Sequence, residues 1–276
     1  MATIAITADK GIPKIQLEKL AKQTSLPLAN QHNQADYLLH ITTDYLELRK
    51  TNHQQKKPKI ESIHVDFVNG KANHRRLHGG GKGQDIAKAI GLHKIKDPTV
   101  LDLTAGMGGD AFVLATLGAD VTMIERNPVT HALLRDALNR AMLVADNDLQ
   151  NIMSRLILKN EDALLSLKNL DSDDFYTDTD DNLASKNLPN VIYIDPMFPT
   201  RSKSAQVKKE MQFFHDIVGS DDDSEKLLLA ALSLAKNRIV VKRPRLAEKL
   251  TEVVQPAFDI VGKSTRYDIY LPTKKT

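Results

Sequence analysis

Asp195, Pro196 and Phe198, in the stretch YIDPMFP at 193–199, put a carboxylate, a rigid turn and an aromatic face side by side. A carboxylate accepts N–H bonds, and a flat ring stacks on a nucleobase, a contact worth about 1–3 kcal/mol. Together they suit an amine carried on a heterocycle. The lone pair of such a nitrogen is delocalised into the ring, so the amine reacts only when it is aligned and its N–H groups are accepted. The preceding Val191-Ile192-Tyr193-Ile194 reads as a buried strand. Asp195-Pro196 is its abrupt end, because proline fixes φ and donates nothing to a sheet ladder. Taken alone, the motif leaves open a plain rigid turn with Phe198 packed in the core.

A second set of residues lies in LDLTAGMGGDAF at 101–112, where Gly106, Gly108 and Ala111 match G-x-G-x-x-A. Glycines in such a strand–turn–helix let the backbone approach a ligand, and the helix N-terminus faces it. The fingerprint is shared among nucleotide cofactors, and a simple tight turn would also satisfy it. Glu125 ends the next strand, 17 residues after Gly108, where an acid accepts bonds from ribose hydroxyls. Glu161 and Asp162 end a third strand and suit either an adenine amino group or helix capping. The expectation is an adenosine-containing ligand across the carboxyl ends of strands one to three.

The elements that must position these residues follow from periodicity. From Pro98 onward, near-continuous apolar strands (TVLDLTA, DVTMIER, RLILKNED, NVIYIDP, NRIVVKRP) alternate with amphipathic helices such as GDAFVLATLG and NPVTHALLRDALNRAMLVA. That alternation predicts an open, doubly wound, mostly parallel α/β sheet covered on both faces. FDIVGKS and RYDIYLP are expected to pair at its edge. Residues 1–72 read as a small N-terminal α/β domain, with strands in TIAITA, DYLLHITTDYLELRK and ESIHVDFV and a helix near IQLEKLAKQT. Residues 73–97 read as a connector: a basic, glycine-rich loop over 73–83, then a helix closed by Gly91. The remainder, 98–276, is the main domain.

The chain has 276 residues and no cysteine, which excludes disulfides, thiolate metal sites and cysteine nucleophiles. It shows no apolar run of about 18 residues, and MATIAITADK lacks the features of a secretory signal, so a cytoplasmic protein with no membrane partner is expected. His74, His78 and His93 fit no metal-ligand spacing, and no metal is assigned. The net charge of +3 is unevenly spread. Basic clusters occupy 56–59, 73–83, 201–209 and 241–245, and acid collects at 171–181 and 220–225. Each cluster alone reads as a solvated face, but two of them follow strands directly and would line one edge of a site.

Acid–Pro–x–aromatic is the pattern of amino-group methyltransferases, with Met197 standing where a second proline is usual. The stretches RRLHGGGKG, DLTAGMGGDAFVLATLGADVTMIERNPV, YIDPMFP, KSAQVKKEM, VVKRP and YDIYLP carry the wider likeness. From about residue 73 to 271 the chain resembles the ribosomal small subunit methyltransferase J family, which is similar to class I S-adenosylmethionine enzymes and methylates N2 of one guanosine in 16S rRNA. The resemblance implies a seven-stranded Rossmann-like methyltransferase sheet and S-adenosylmethionine as cofactor. Its implied contacts are Gly109, Asp110, Glu125, Arg126, Glu161, Asp162 and Asp195, joined by Asp102, Gly106 and Gly108 of the glycine turn. Glu161 and Asp162 replace a small hydroxyl pair expected there, and the 171–181 stretch is longer than the family's usual connection.

The implied partner is 16S rRNA or the small ribosomal subunit, with Asp195, Pro196 and Phe198 holding the base. Lys203, Lys208, Lys209, Lys242, Arg243 and Arg245 are expected at RNA phosphates, and Arg75, Arg76 and Lys82 from the connector are expected to close over either cofactor or RNA. The rival readings are an amino methyltransferase of another nucleic-acid base, a nicotinamide-dependent oxidoreductase, and a non-catalytic rRNA-binding assembly factor. The oxidoreductase leaves DPMFP unexplained.

Overall fold

The computed structural model describes residues 2–29, 35–51, 61–171, 188–196, 213, 216–218 and 223–273. Phe198, Lys203, Lys208 and Lys209, the 56–59 cluster and the acidic stretch beyond Asp171 lie outside the described residues.

The chain starts with a four-stranded sheet of β1 (Ile4–Ala8), β2 (Tyr37–Ile41), β3 (Leu46–Lys50) and β4 (Glu61–Ile63), in that spatial order. β1 and β2 are parallel, joined through α1 (Lys14–Thr24), and the other two pairings are antiparallel. Next come α2 (Lys71–His78), a short 3-10 turn at Gly81–Gly83 and α3 (Asp85–Ile90). Gly91 closes α3 in the left-handed conformation expected of it, with φ +75°.

Helix α2 corrects the sequence reading of 73–83 as a loop. KANHRRLH is rich in good helix formers, and the glycines that suggested a loop begin only after it, at Gly79. A side chain at Gly79 would place its Cβ 2.2 Å from the Arg75 carbonyl oxygen, so this glycine marks the helix end.

The second sheet holds β5 (Thr99–Asp102), β6 (Asp120–Ile124), β7 (Leu156–Lys159), β8 (Val191–Ile194), β9 (Arg238–Pro244), β10 (Phe258–Val261) and β11 (Thr265–Tyr270). Their order is β10-β11-β9-β8-β5-β6-β7. β5 to β9 are parallel; β11 runs antiparallel between β9 and the edge strand β10, so the two last strands pair as expected. The strand order reverses at β5, between β6 and β8, and the crevice outside that reversal is where such sheets bind ligands.

Alternation along β8 shows how the sheet is covered. All four residues are fully buried, Val191 and Tyr193 in one core, Ile192 and Ile194 in the other. Each buried aliphatic side chain stabilises the fold by about 1.5–3 kcal/mol. The first core takes in α3, α4 (Gly109–Thr116), α5 (Pro128–Met142) and α6 (Asn147–Met153), and it continues without interruption into the N-terminal sheet through Ile6, Leu39 and Leu48. The second is roofed by α7 (Ala163–Asp171) and α8 (Ser224–Ala231). α5 starts where Pro128 follows Asn127, whose side chain caps the amides of Val129 and Thr130. The single long helix read over 127–145 stops at Met142, and Asp146 caps α6 as a separate helix. Among the described residues no helix is long and apolar enough to cross a membrane.

Candidate active site

The glycine turn between β5 and α4 is shaped by conformations that other residues avoid. Gly106 and Gly108 have φ of +54° and +71°. A Cβ on Gly108 would also lie 2.7 Å from the buried Leu134 side chain, whereas one on Gly109 would meet nothing within 4 Å. The first turn of α4 therefore opens its backbone N–H groups to the crevice. Glu125, at the end of β6, is locked beneath this turn. Its Oε2 accepts the Gly106 amide at 3.0 Å and its Oε1 the Asn127 amide at 2.7 Å.

Farther out on this side, Arg126 pairs with Asp223 at 2.7 Å. Glu161 accepts the Ser166 hydroxyl at 2.7 Å, and Asp162 accepts the Leu165 amide at 3.1 Å, which is the capping role at the start of α7. Asp102, at the end of β5, is 2% exposed and accepts the Thr104 amide at 3.0 Å. Burial raises its pKa to about 8; the Thr104 amide pulls the other way, and the nearby Asp110 and Asp195 charges add to the rise.

On the β8 and β9 side the site is made of side chains. The Asp195 amide donates to Thr104 Oγ1 at 2.6 Å, which ties the end of β8 to the loop after β5, and Pro196 is buried behind it. Lys242, from β9, donates to Asp195 Oδ2 at 2.8 Å and to Asp110 Oδ2 at 2.7 Å. The buried Tyr193 hydroxyl also donates to Asp110 Oδ2, at 2.7 Å, and Arg75 Nη1 from α2 stands 3.5 Å from Asp110 Oδ1. Burial works against the Lys242 ammonium, but the Asp110 and Asp195 carboxylates outweigh it and hold the group charged well above its ordinary range. In return, although burial raises the Asp110 pKa, the ammonium outweighs it and keeps the carboxyl below its usual range. Burial, then the same two carboxylates, push the Tyr193 phenol upward, so it stays a donor.

The structure thus brings together Asp102, Gly106, Gly108, Gly109, Asp110, Glu125 and Asp195, all read from the sequence. It places Lys242 among them, whereas the sequence put it with the phosphate contacts. Arg243 is a correction to that set: it is 4% exposed and its guanidinium donates to the Glu248 carbonyl, which withdraws it from the surface. Arg76 is mostly buried in a pair with Asp146 at 2.8 Å. Lys82 and Arg245 are exposed. Sequence reasoning missed Thr104 and Tyr193. The one available signal was a phenol in the middle of an otherwise aliphatic strand. Among the described residues no cluster of three or more histidine or carboxylate groups is arranged to hold a metal.

Residues 19–272 match the family model described as "Putative SAM-dependent methyltransferase". The chain is 46% identical to ribosomal RNA small subunit methyltransferase J of Coxiella burnetii (strain RSA 331 / Henzerling II) over 98% of this chain and 97% of the relative. It is 44% identical to the protein of that name from Saccharophagus degradans, over 93% of each chain. The crystal structure of a SAM-dependent methyltransferase from Neisseria gonorrhoeae superposes with a TM-score of 0.71 at 32% identity, covering 99% of this chain and 98% of that one. Glycine turn, strand-end acids and sheet order agree with these likenesses, and the chain belongs to the ribosomal RNA small subunit methyltransferase J family of S-adenosylmethionine-dependent enzymes.

Proposed function

We propose that the enzyme methylates the exocyclic N2 of one guanosine in 16S rRNA, in the cytoplasm, where small subunits are assembled. The observation that carries the reading is Asp195, fixed at the crevice by Thr104 through its amide and by Lys242 through its carboxylate. The names of the relatives supply the class of substrate.

The crevice fits S-adenosylmethionine. The space over Gly109 accommodates a ligand against the first turn of α4, and Asp110 and Asp195, which share the Lys242 ammonium, turn carboxylates toward the positive charges that the cofactor carries. Gly106, Gly108, Gly109 and Asp110 would hold its amino-acid portion and Glu125 its ribose, with Asp102 supporting the turn and Arg126, Glu161 and Asp162 bordering the adenine. Bound there, the cofactor supplies a methyl group whose bond to sulfur breaks as the amine lone pair takes the carbon, leaving a neutral thioether.

The chain's own part is alignment and proton handling. Asp195 accepts an N–H of the guanine amine, which turns the lone pair toward the donor; Pro196 keeps that carboxylate from drifting, and Phe198 stacks on the base. The nitrogen must shed one proton after gaining the methyl. Asp195, whose side chain is 37% exposed, takes it and returns it to water. Lys242 keeps Asp195 an acceptor by holding positive charge against it. We further propose that residues 1–72 brace the 98–276 methyltransferase domain, with 73–97 as the connector between them.

Tritium transfer from labelled cofactor to 16S rRNA, compared for the wild type and Asp195→Ala, tests the central role. The expected loss in transfer rate is at least about 10²–10³-fold, well beyond any loss of cofactor affinity read by calorimetry, with melting temperature little changed. Full activity in Asp195→Ala overturns it. Mass mapping of 16S rRNA from cells with and without the protein tests the position: one N2-methylguanosine should vanish, and loss of a methyl from another base would replace the guanine assignment.

A further inference from the structure

Beside the crevice lies a cleft of about 350 Å³ that the proposed chemistry leaves unused. One wall is the 3-10 turn and the start of α3; the other is the turn joining β10 to β11. Arg75, Gln84, Lys263, Ser264, Thr265 and Tyr267 supply its polar lining. The turn between the strands is firmly held. The Gly262 amide donates to the Thr265 carbonyl at 2.7 Å, and the Arg245 amide to the Ser264 carbonyl at 3.0 Å. Gly262 packs so closely on α3 that a Cβ would sit 2.7 Å from Asp85 Oδ2. Asp85, the carboxylate of the wall, is paired with Lys88 at 3.3 Å, which leaves the cleft with the character of its cations.

Two lining residues belong to the active site as well. Arg75 reaches Asp110, and Tyr267 is close enough to Asp110, Lys242 and Asp195 to feel their charges. Tyr267 is only 5% exposed, and among the described residues its hydroxyl meets no hydrogen-bond partner, although it lines the cleft. A phenol that lines the cleft without a protein partner is open to donate to a ligand seated there. Lys263, two aliphatic hydroxyls, a phenol and Arg75, which is held in place by Gln84 and Asp110, match the phosphate, sugar and base edge of one nucleotide, and the volume lies at the lower end of the ligand-pocket range, about 300–1,000 Å³. Lys82, next to Gly83 of one wall, and Arg245, whose amide bonds the Ser264 carbonyl of the other, are both exposed and add positive charge near the cleft.

We propose that this cleft seats the nucleotide next to the target guanosine, its phosphate between Arg75 and Lys263 and an acceptor of its sugar or base on the Tyr267 hydroxyl. The proposal rests on the reading that RNA is the substrate. Unstacking a target base costs a few kcal/mol, and a grip on its neighbour at the rim of the site offsets that cost where the base must enter.

The test compares Lys263→Glu, Tyr267→Phe and Lys236→Glu in the full chain. Lys236 is exposed at the opposite end of β9 and controls for net charge. Binding of a 16S rRNA transcript is measured over a salt series, and S-adenosylmethionine binding by calorimetry. Lys263→Glu should weaken RNA binding about 10-fold and lower the salt slope by about 1 with cofactor affinity unchanged, and Tyr267→Phe should weaken RNA binding by about 3-fold. Lys236→Glu should change RNA binding far less. If wild type binds and methylates the RNA while Lys263→Glu matches wild type or the control, the cleft is not an RNA site and the proposed function stands. If Lys263→Glu instead loses cofactor affinity, the cleft belongs to the cofactor and the proposal falls. If wild type neither binds nor methylates the RNA, the proposed function itself fails and takes this inference with it.

Discussion

The two halves of the crevice are built by different means. Around β5 and β6 the work is done by backbone: left-handed glycines, an open helix start and a glutamate clasped between two amides. Around β8 and β9 it is done by side-chain charge, with one ammonium shared by two carboxylates, one of which also accepts a phenol. The first half should be sensitive to volume, the second to charge and pH.

The largest effect that separates the halves should come from Lys242→Met. Without the ammonium, Asp110 and Asp195 face each other, and their described neighbours include Tyr193, Asp102, Tyr267 and, at 3.5 Å from Asp110, Arg75. One of the two carboxyls then holds a proton into the neutral range, so kcat should fall about 100-fold and the acid limb of the rate profile should move up by about 1–2 pH units. Lys242→Arg should recover most of both. A profile that keeps its limb would show that Lys242 serves packing alone.

Gly108→Ala tests the backbone half. The added methyl meets Leu134 in a conformation that disfavours any side chain, so melting should report a loss of about 1–3 kcal/mol and calorimetry a cofactor affinity about tenfold weaker. The rate profile of the residual activity should keep its shape. A shifted pH limb here would mean that the two halves are not separable.

The smallest effect on catalysis concerns Asp102, which lies between the halves and reports through stability. Its folded pKa is raised to about 8 from 3.8, so its contribution to stability is full below about 3.8 and is lost as pH rises toward 8. Asp102→Asn should therefore match wild type in melting near pH 4 and exceed it increasingly up to about pH 8, by at most about 1.4 kcal/mol per pH unit. A difference independent of pH would mean that Asp102 is ionised throughout.

The same contrast explains what the sequence disclosed. Gly106, Gly108 and Glu125 were readable because backbone geometry restricts residue type at fixed spacing, and the strand pattern of 98–271 was readable because strands covered on both faces must be apolar throughout. Lys242 was not readable as a site residue. Its partners are 132 and 47 positions away, so only the sheet order brings them together. Arg243, next to it, points the other way because neighbours in a strand alternate faces, and a run of basic letters conceals that alternation. Helix α2 was hidden by the glycines that follow it, which drew the whole segment into a loop.

The 2.6 Å bond from the Asp195 amide to Thr104 has a mechanical meaning. In the proposed mechanism it rivets the seat of the acceptor to the seat of the donor, so both reactants would rest on a single anvil of sheet. An enzyme of this design has no alignment to regain by swinging one body onto another at each turnover. Only the cofactor and the RNA have to come and go.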